Sequence, residues 1–298
     1  MKNETKMSAD KVVKQPKPKL MNIKLEKLHP FENHPYKVLD DEPMTELVAS
    51  IKEYGLLNRI IVRPLDEIPE EYEIISGHRR VHAAKLLEMK EVPAVVHFID
   101  RDEATVMMVD SNCQRENLTL MEKARSYRMK SDALSHQGKS LGQNVPKSEE
   151  SRTTAKIGSD SGDSYKTVQR LIRLTYLVSE LQEYVDIGKM KMLPAYELSF
   201  LDEDAQRDIV DRITETEVFP SHAQARRMRA TFEEGKLDYD TVTQIMNELK
   251  PNQVEKLKIP MDDIRKYVPK SMTPAEMQAY LLKLVKQDYD RQHNRDAR

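Results

Sequence analysis

Tyr72-Glu73-Ile74-Ile75-Ser76-Gly77-His78-Arg79-Arg80-Val81-His82-Ala83-Ala84-Lys85 decides the fold. A short β-type run, Tyr72 to Ile75, passes at once into helical spacing, with Val81, Ala84 and Leu87 recurring on one side. Gly77 sits at the corner, where the lack of a side chain lets backbone approach a ligand closely. Arg79 and Arg80 then place positive charge in the first helical turn, where free N–H groups already favour anions. Strand, glycine, basic helix start: this is the design of a phosphate site.

Upstream, Met44, Leu47, Val48 and Ile51 fall on one helical face, with Pro43 at the start and Gly55 at the end. Arg59-Ile60-Ile61-Val62-Arg63 is β-branched and bounded by Pro64. Downstream, Val92 to Phe98 is a third β-type run. The order helix, strand, strand, helix, strand implies a small mixed sheet with helices packed on it, beginning near Met21.

After Phe98 the β signal stops. Helical patterns cover 102–111 and 119–136, and strong helix resumes from Ser164. Between them, residues 137–164 hold four of the chain's eight glycines, which reads as a flexible insertion merging into a short helix near 152–160. Beyond residue 200 helix formers dominate, broken by prolines. The expected class is α+β: a mixed-sheet N-terminal domain, then an all-helical domain carrying a helix-turn-helix, then a helical C-terminal region. The expected boundaries are a disordered basic tail 1–20, domains 21–117 and 118–205 with a flexible insertion 137–152, and a helical region 206–298.

Formal net charge is −2 over 298 residues, so overall charge gives no support for nucleic-acid binding, and any such function must rest on a local patch. Cys113 is the only cysteine, which fits a reducing cytoplasm and excludes an internal disulfide. No segment has the length and purity of a transmembrane helix, and the N-terminus lacks the apolar core of a signal peptide. The expectation is a cytoplasmic protein without membrane partners.

Asp110-Ser111-Asn112-Cys113-Gln114-Arg115-Glu116-Asn117 is almost wholly polar and lies between two helices. It is either a hydrated junction or a ligand site, in which Asn112 could meet a metal or phosphate and Arg115 a phosphate. Gly162-Asp163-Ser164-Tyr165-Lys166-Thr167-Val168-Gln169-Arg170-Leu171-Ile172-Arg173 has Ser164 as an N-cap and Val168, Leu171 and Ile172 as an apolar face. With Ile157 and Gly158 in the preceding helix, the offsets suit a helix-turn-helix whose second helix enters the major groove. An ordinary amphipathic helix with a solvated basic face has the same pattern. Further basic residues at Ser221–Arg229 could add a DNA contact or be a solvated face. The stripe Met277, Leu281, Leu284 and Val285 could serve dimerisation or internal packing. His78 and His82, four apart, could share a metal, but no third ligand has suitable spacing.

In this order, Leu57–Arg63, Gly77-His78-Arg79-Arg80, Asn112–Glu116 and the helix-turn-helix resemble the ParB family of partition proteins, including the stage 0 sporulation protein J group. The resemblance covers roughly residues 21 to 205, and the departures look most like members carried on mobile elements of Firmicutes. It implies a domain that binds CTP with Mg2+, using Gly77, His78, Arg79, Arg80, Asn112 and Arg115, with Asn112 also toward the metal. It implies recognition of a palindromic, centromere-like site in double-stranded DNA by Ser164, Lys166, Thr167, Gln169, Arg170 and Arg173. It also implies a nucleotide-closed homodimeric DNA clamp on the nucleoid and a ParA-type ATPase partner, met through the basic tail.

Two positions depart from the family pattern. His78 and Ser111 stand where the family has glutamates tied to metal binding and hydrolysis, so nucleotide binding with weak or absent CTP hydrolysis is expected. The alternatives are a transcription regulator of a mobile element, or a phosphotransferase or nuclease on the same fold. The corner also resembles sulfiredoxin, which needs a cysteine where this chain has Ser76.

Overall fold

Short apolar, largely β-branched runs set the strands of the N-terminal part. In the computed structural model these are β1 (Lys19–Lys24), β2 (Leu28–His29), β3 (Ile60–Pro64), β4 (Tyr72–Ser76) and β5 (Glu91–Val96). The structure describes residues 16–113, 115, 118–140, 147–248, 261–269 and 271–293. The five strands form one mixed sheet in the order β1-β5-β3-β4-β2. β1 runs antiparallel to β5, β5 parallel to β3, β3 antiparallel to β4 and β4 parallel to β2. The β3–β4 register shifts between Ile61 and Val62, beside Ser76, so the irregularity falls next to the glycine corner.

Consecutive isoleucines in β4 explain how the sheet is covered. Ile74 faces a cluster with Ile23, Ile60, Val62, Val92 and Ala94, under Val81 and Ala84 of α2 (His78–Leu86). Ile75 faces the other way, toward Phe31 and Ala104, Met108 and Val109 of α3 (Arg101–Asn112). α1 (Glu42–Tyr54) lays Met44 and Ile51 on Ala83 of α2. Its N-cap is Asp41, whose side chain accepts from the Met44 N–H, and Gly55 ends it.

The helical part follows as α4 (Leu120–Ser140), α5 (Lys147–Ser161), α6 (Tyr165–Leu174), α7 (Ser179–Asp186), α8 (Met192–Leu198), α9 (Glu203–Thr216), α10 (His222–Glu233) and α11 (Tyr239–Asn247). One apolar core joins them, from Met121 in α4 through Ile157, Val168, Leu171 and Leu174 to Val242 and Met246. The expected boundary at 205–206 therefore cuts through a continuous core. The chain instead divides into Met1–Glu248 and Leu249–Arg298. The second unit holds α12 (Met261–Arg265) and α13 (Pro274–His293).

Other expectations need correction. β1 takes in Lys19 and Leu20, two residues inside the expected tail, because they pair with β5. Residues 1–15 lie outside the described residues. Most of the expected insertion is helix: 137–140 complete α4 and 147–152 open α5. Glycine and serine content misled there, since burial of Thr154 and Ile157 holds the far end of α5. Residues 141–146 lie outside the described residues. No described helix is long and apolar enough to cross a membrane.

Candidate functional site

The six residues expected to hold a nucleotide meet in one cleft of about 240 Å³. Gly77, His78, Arg79 and Arg80 enter from the β4–α2 corner, and Asn112 and Arg115 from the end of α3. The opposite wall was not legible in the sequence: His34, Tyr36, Lys37 and Val38, from the loop before α1. That loop has no periodicity to flag it. Its aromatic and basic content, beside the helix N-cap Asp41, is the one signal that could have flagged it.

Gly77 caps α2 with φ +109°, and a Cβ there would stand 2.7 Å from Cγ2 of the fully buried Ile60. With no side-chain cap and no acid in its first turn, α2 leaves its leading N–H groups and positive dipole end open to an anion. The two arginines are not equivalent. Arg79 makes a two-pronged ion pair with Asp41, at 2.7 and 3.4 Å, which ties α2 to the start of α1. Arg80 donates only to the Asn58 and Arg59 carbonyls, at 2.9 and 2.5 Å, so its charge has no carboxylate partner among the described residues.

His78 does not behave as a charged phosphate contact. Its ring lies 3.7 Å from the ring of His34, and its Nε2 accepts from the Phe31 N–H. Burial, with the neighbouring His34, pushes its pKa down to about 3, so it is neutral at physiological pH. Burial also lowers the pKa of His34, whose Nδ1 is 2.8 Å from the Tyr36 carbonyl. His82 pairs with Asp40 at 2.6 Å, so the two histidines of α2 do not share a ligand.

The donor set does not fit Mg2+. Among the described residues no carboxylate lines the cleft, and no cluster of three His, Cys, Asp or Glu could hold a metal ion. The Ser111 hydroxyl is turned onto the Met108 carbonyl, and the Asn112 amide nitrogen joins it there. Asn112 Oδ1 is left, 3.5 Å from Arg115 Nη1. Ser76 lines the cleft without a thiol, and Cys113 is half-buried with its pKa raised by burial, so sulfiredoxin chemistry has no nucleophile at the corner.

A buried polar stripe on α4 joins this cleft to the helical part. Glu122, Ser126 and Lys130 are spaced four apart on one face of the helix. Glu122 accepts from the N–H of cleft-lining Lys37, while the Lys37 ammonium reaches Asp186 at the end of α7. Lys130 is fully buried and binds Asp110 of α3 at 2.5 Å and Asp160 of α5 at 2.7 Å. The polar run at 110–115 is thus part junction, through Asp110, and part cleft, through Asn112 and Arg115.

α5, a turn at Gly162-Asp163-Ser164 and α6 have the connectivity of a helix-turn-helix. Tyr127 of α4 fixes the turn by donating to Asp163. Gly158 makes the close crossing: a Cβ there would lie 2.5 Å from the Asp163 carbonyl oxygen. Because the obstacle is backbone, Gly158→Ala should cost about 1–3 kcal/mol and lower the unfolding temperature measurably in a thermal scan. An unchanged melting curve would mean that this crossing relaxes freely.

The residues expected to read DNA divide into two groups. Lys166 and Gln169 are exposed, with Thr167 and Arg170 half-buried beside them. Ser164 is used as the N-cap, accepting from the Thr167 N–H. Arg173 is withdrawn: it donates to the Ser199 carbonyl at 2.8 Å and stacks between Tyr176 and Phe200, at 4.4 and 4.3 Å. Its position one turn past Arg170 suggested a shared face, but the α6–α8 packing claims it. Exposed Tyr165, at the helix start, was not among the expected readers. In α10, Arg229 is held by Glu197, Glu233 and Phe200 and Arg227 by Glu248, while Arg226 is exposed.

The ParB N-terminal domain family matches residues 9–113. A protein of Coxiella burnetii described as "Probable chromosome-partitioning protein ParB" is 31% identical over 214 residues, which is 70% of this chain and 68% of that protein. A nucleoid occlusion protein of Listeria monocytogenes is 29% identical over 202 residues, 68% of this chain and 65% of its own length. Other Listeria relatives of that name are matched over about 50% of theirs. Among solved structures, a C-terminally truncated ParB from Caulobacter crescentus complexed to the centromeric parS site is 22% identical. It aligns over 76% of this chain and 98% of its own at TM-score 0.39. The same protein complexed with CTP-gamma-S is 24% identical, over 66% and 99%, at TM-score 0.31. The chain belongs to the ParB family.

Proposed function

We propose that this protein is a DNA-binding partition factor whose grip on a centromere-like site is regulated by CTP. The observation that carries the reading is the convergence of Gly77, Arg79, Arg80, Asn112 and Arg115 on one cleft. The same stretch of chain leads through α4 to a helix with exposed Lys166 and Gln169. The helix N-terminus and Arg80 supply a triphosphate site, and hydrolysis is slow or absent because no described carboxylate stands ready to activate water or hold a metal. The exposed face of α6 reads bases, while Ser164 and Arg173 set its shape and position. Exposed Leu282, Val285 and Tyr289 of α13 supply a dimer contact with a second copy, and a ParA-type ATPase is the partner that moves the complex.

Selecting bound DNA from a genomic pool, with and without CTP, tests this reading. A single enriched motif whose occupancy responds to CTP is the expected outcome, and random recovery would remove it. On the selected site, Lys166→Ala with Arg170→Ala should cost about 1–3 kcal/mol per lost base contact and flatten the salt dependence. Unchanged affinity in the double variant would show that α6 is not the reader. A second reading, nucleoid occlusion, is favoured by the Listeria relatives. A pull-down from the native host that recovers a ParA-type ATPase would favour partition over it.

A further inference from the structure

We propose that the cleft takes its nucleotide as the metal-free triphosphate, its cationic side chains doing the neutralising that a divalent ion would otherwise do. This rests on the nucleotide reading above and goes beyond it in naming the ionic form that binds.

Four cationic side chains line the cleft, Lys37, Arg79, Arg80 and Arg115, and no described carboxylate does. Lys37 and Arg79 already have acidic partners, Asp186 and Asp41, set back from the lining. Arg80 and Arg115 have none among the described residues, so their charge is available to phosphate oxygens.

Three neutral groups in or beside the cleft are spent elsewhere. His78 Nε2 takes the Phe31 N–H, His34 Nδ1 is bonded to the Tyr36 carbonyl, and the Ser111 hydroxyl faces its own helix. Among the described side chains that line the cleft, the Asn112 amide oxygen already faces a guanidinium, and Ser76 and Tyr36 offer only neutral hydroxyls to a hard cation. Mg2+ prefers near-octahedral oxygen coordination, usually with at least one protein carboxylate. In this cleft it would meet cations instead.

A divalent ion on the triphosphate works against such a site in two ways. It cancels part of the charge that attracts the arginines. It also occupies oxygens that a guanidinium fork would bridge. Mg2+ therefore competes with the protein for the phosphates.

The test is calorimetric titration of the full-length protein with CTP, in EDTA and in excess Mg2+ at matched ionic strength. The expected result is a Kd in EDTA equal to or lower than that in Mg2+. Binding tighter in Mg2+ by more than about threefold would overturn the inference while leaving the nucleotide reading intact. No binding in either buffer would remove the nucleotide reading, and the inference with it. Unlabelled tripolyphosphate, titrated the same way, should show the same preference for EDTA. The opposite preference would overturn the phosphate-based cause.

Discussion

Gly77→Ala will weaken the hold on nucleotide, with affinity for CTP reduced on the order of 100-fold, the equivalent of about 3 kcal/mol. Two independent penalties meet at this position. A φ of +109° is a conformation in which a Cβ crowds the backbone, at a cost of about 1–3 kcal/mol. The new methyl would also stand 2.7 Å from Ile60 Cγ2 and 3.1 Å from Arg80 Nη2. Ile60 is fully buried in β3 and paired with Ala94, so it cannot step aside. The corner must yield, and with it the first-turn N–H groups and Arg80. Thermal unfolding separates loss of the site from loss of the fold: a drop of several degrees with the far-ultraviolet spectrum retained is expected. A variant that binds CTP within threefold of the parent would show that this corner is not the phosphate site.

What the sequence disclosed follows from how local each signal is. The β4–Gly77–α2 corner is a contiguous strand-to-helix switch, so its residues were visible together, and all six expected cleft residues do converge. The far wall, His34 to Val38, was invisible because its place depends on three distant anchors. Glu73 holds the Glu32 N–H, Glu122 holds the Lys37 N–H, and Asp186 holds the Lys37 ammonium. Roles were harder to read than positions. A histidine immediately before two arginines looks like a phosphate contact until burial against His34 removes its charge. Arg170 and Arg173 look alike on a helical wheel, and only the aromatic pair Tyr176 and Phe200 tells them apart. β2, two residues long and paired only through distant Tyr72 and Glu73, carries too little pattern to be seen at all.

Lys130→Ala should destabilise the Met1–Glu248 unit by about 2–4 kcal/mol, toward the low end of the loss from breaking a buried ion pair. The low end applies because Asp110 and Asp160 are 44% and 39% exposed, so water can take over part of the lost interaction. Lys130 itself has no exposed surface, and its stem fills a space that alanine would leave open. Lys130→Met keeps that volume and removes the charge, so it should recover at least half of the loss in a urea titration. Burial pulls the Lys130 pKa down, but the hydrogen bonds to Asp110 and Asp160 outweigh it and hold the pKa above the ordinary 10.5. A raised folded-state pKa means the charge contribution is fully present at neutral pH and is lost as pH rises through the folded value. The parent should therefore lose stability in strong base relative to Lys130→Met. The consequence reaches function, because Asp110 lies two residues before cleft-lining Asn112 and Asp160 two before the turn at Gly162. If the stripe on α4 carries information between the sites, Lys130→Met will bind CTP and DNA separately but blunt the effect of one on the other. Full retention of that effect in a folded Lys130→Met protein would confine Lys130 to holding three helices together.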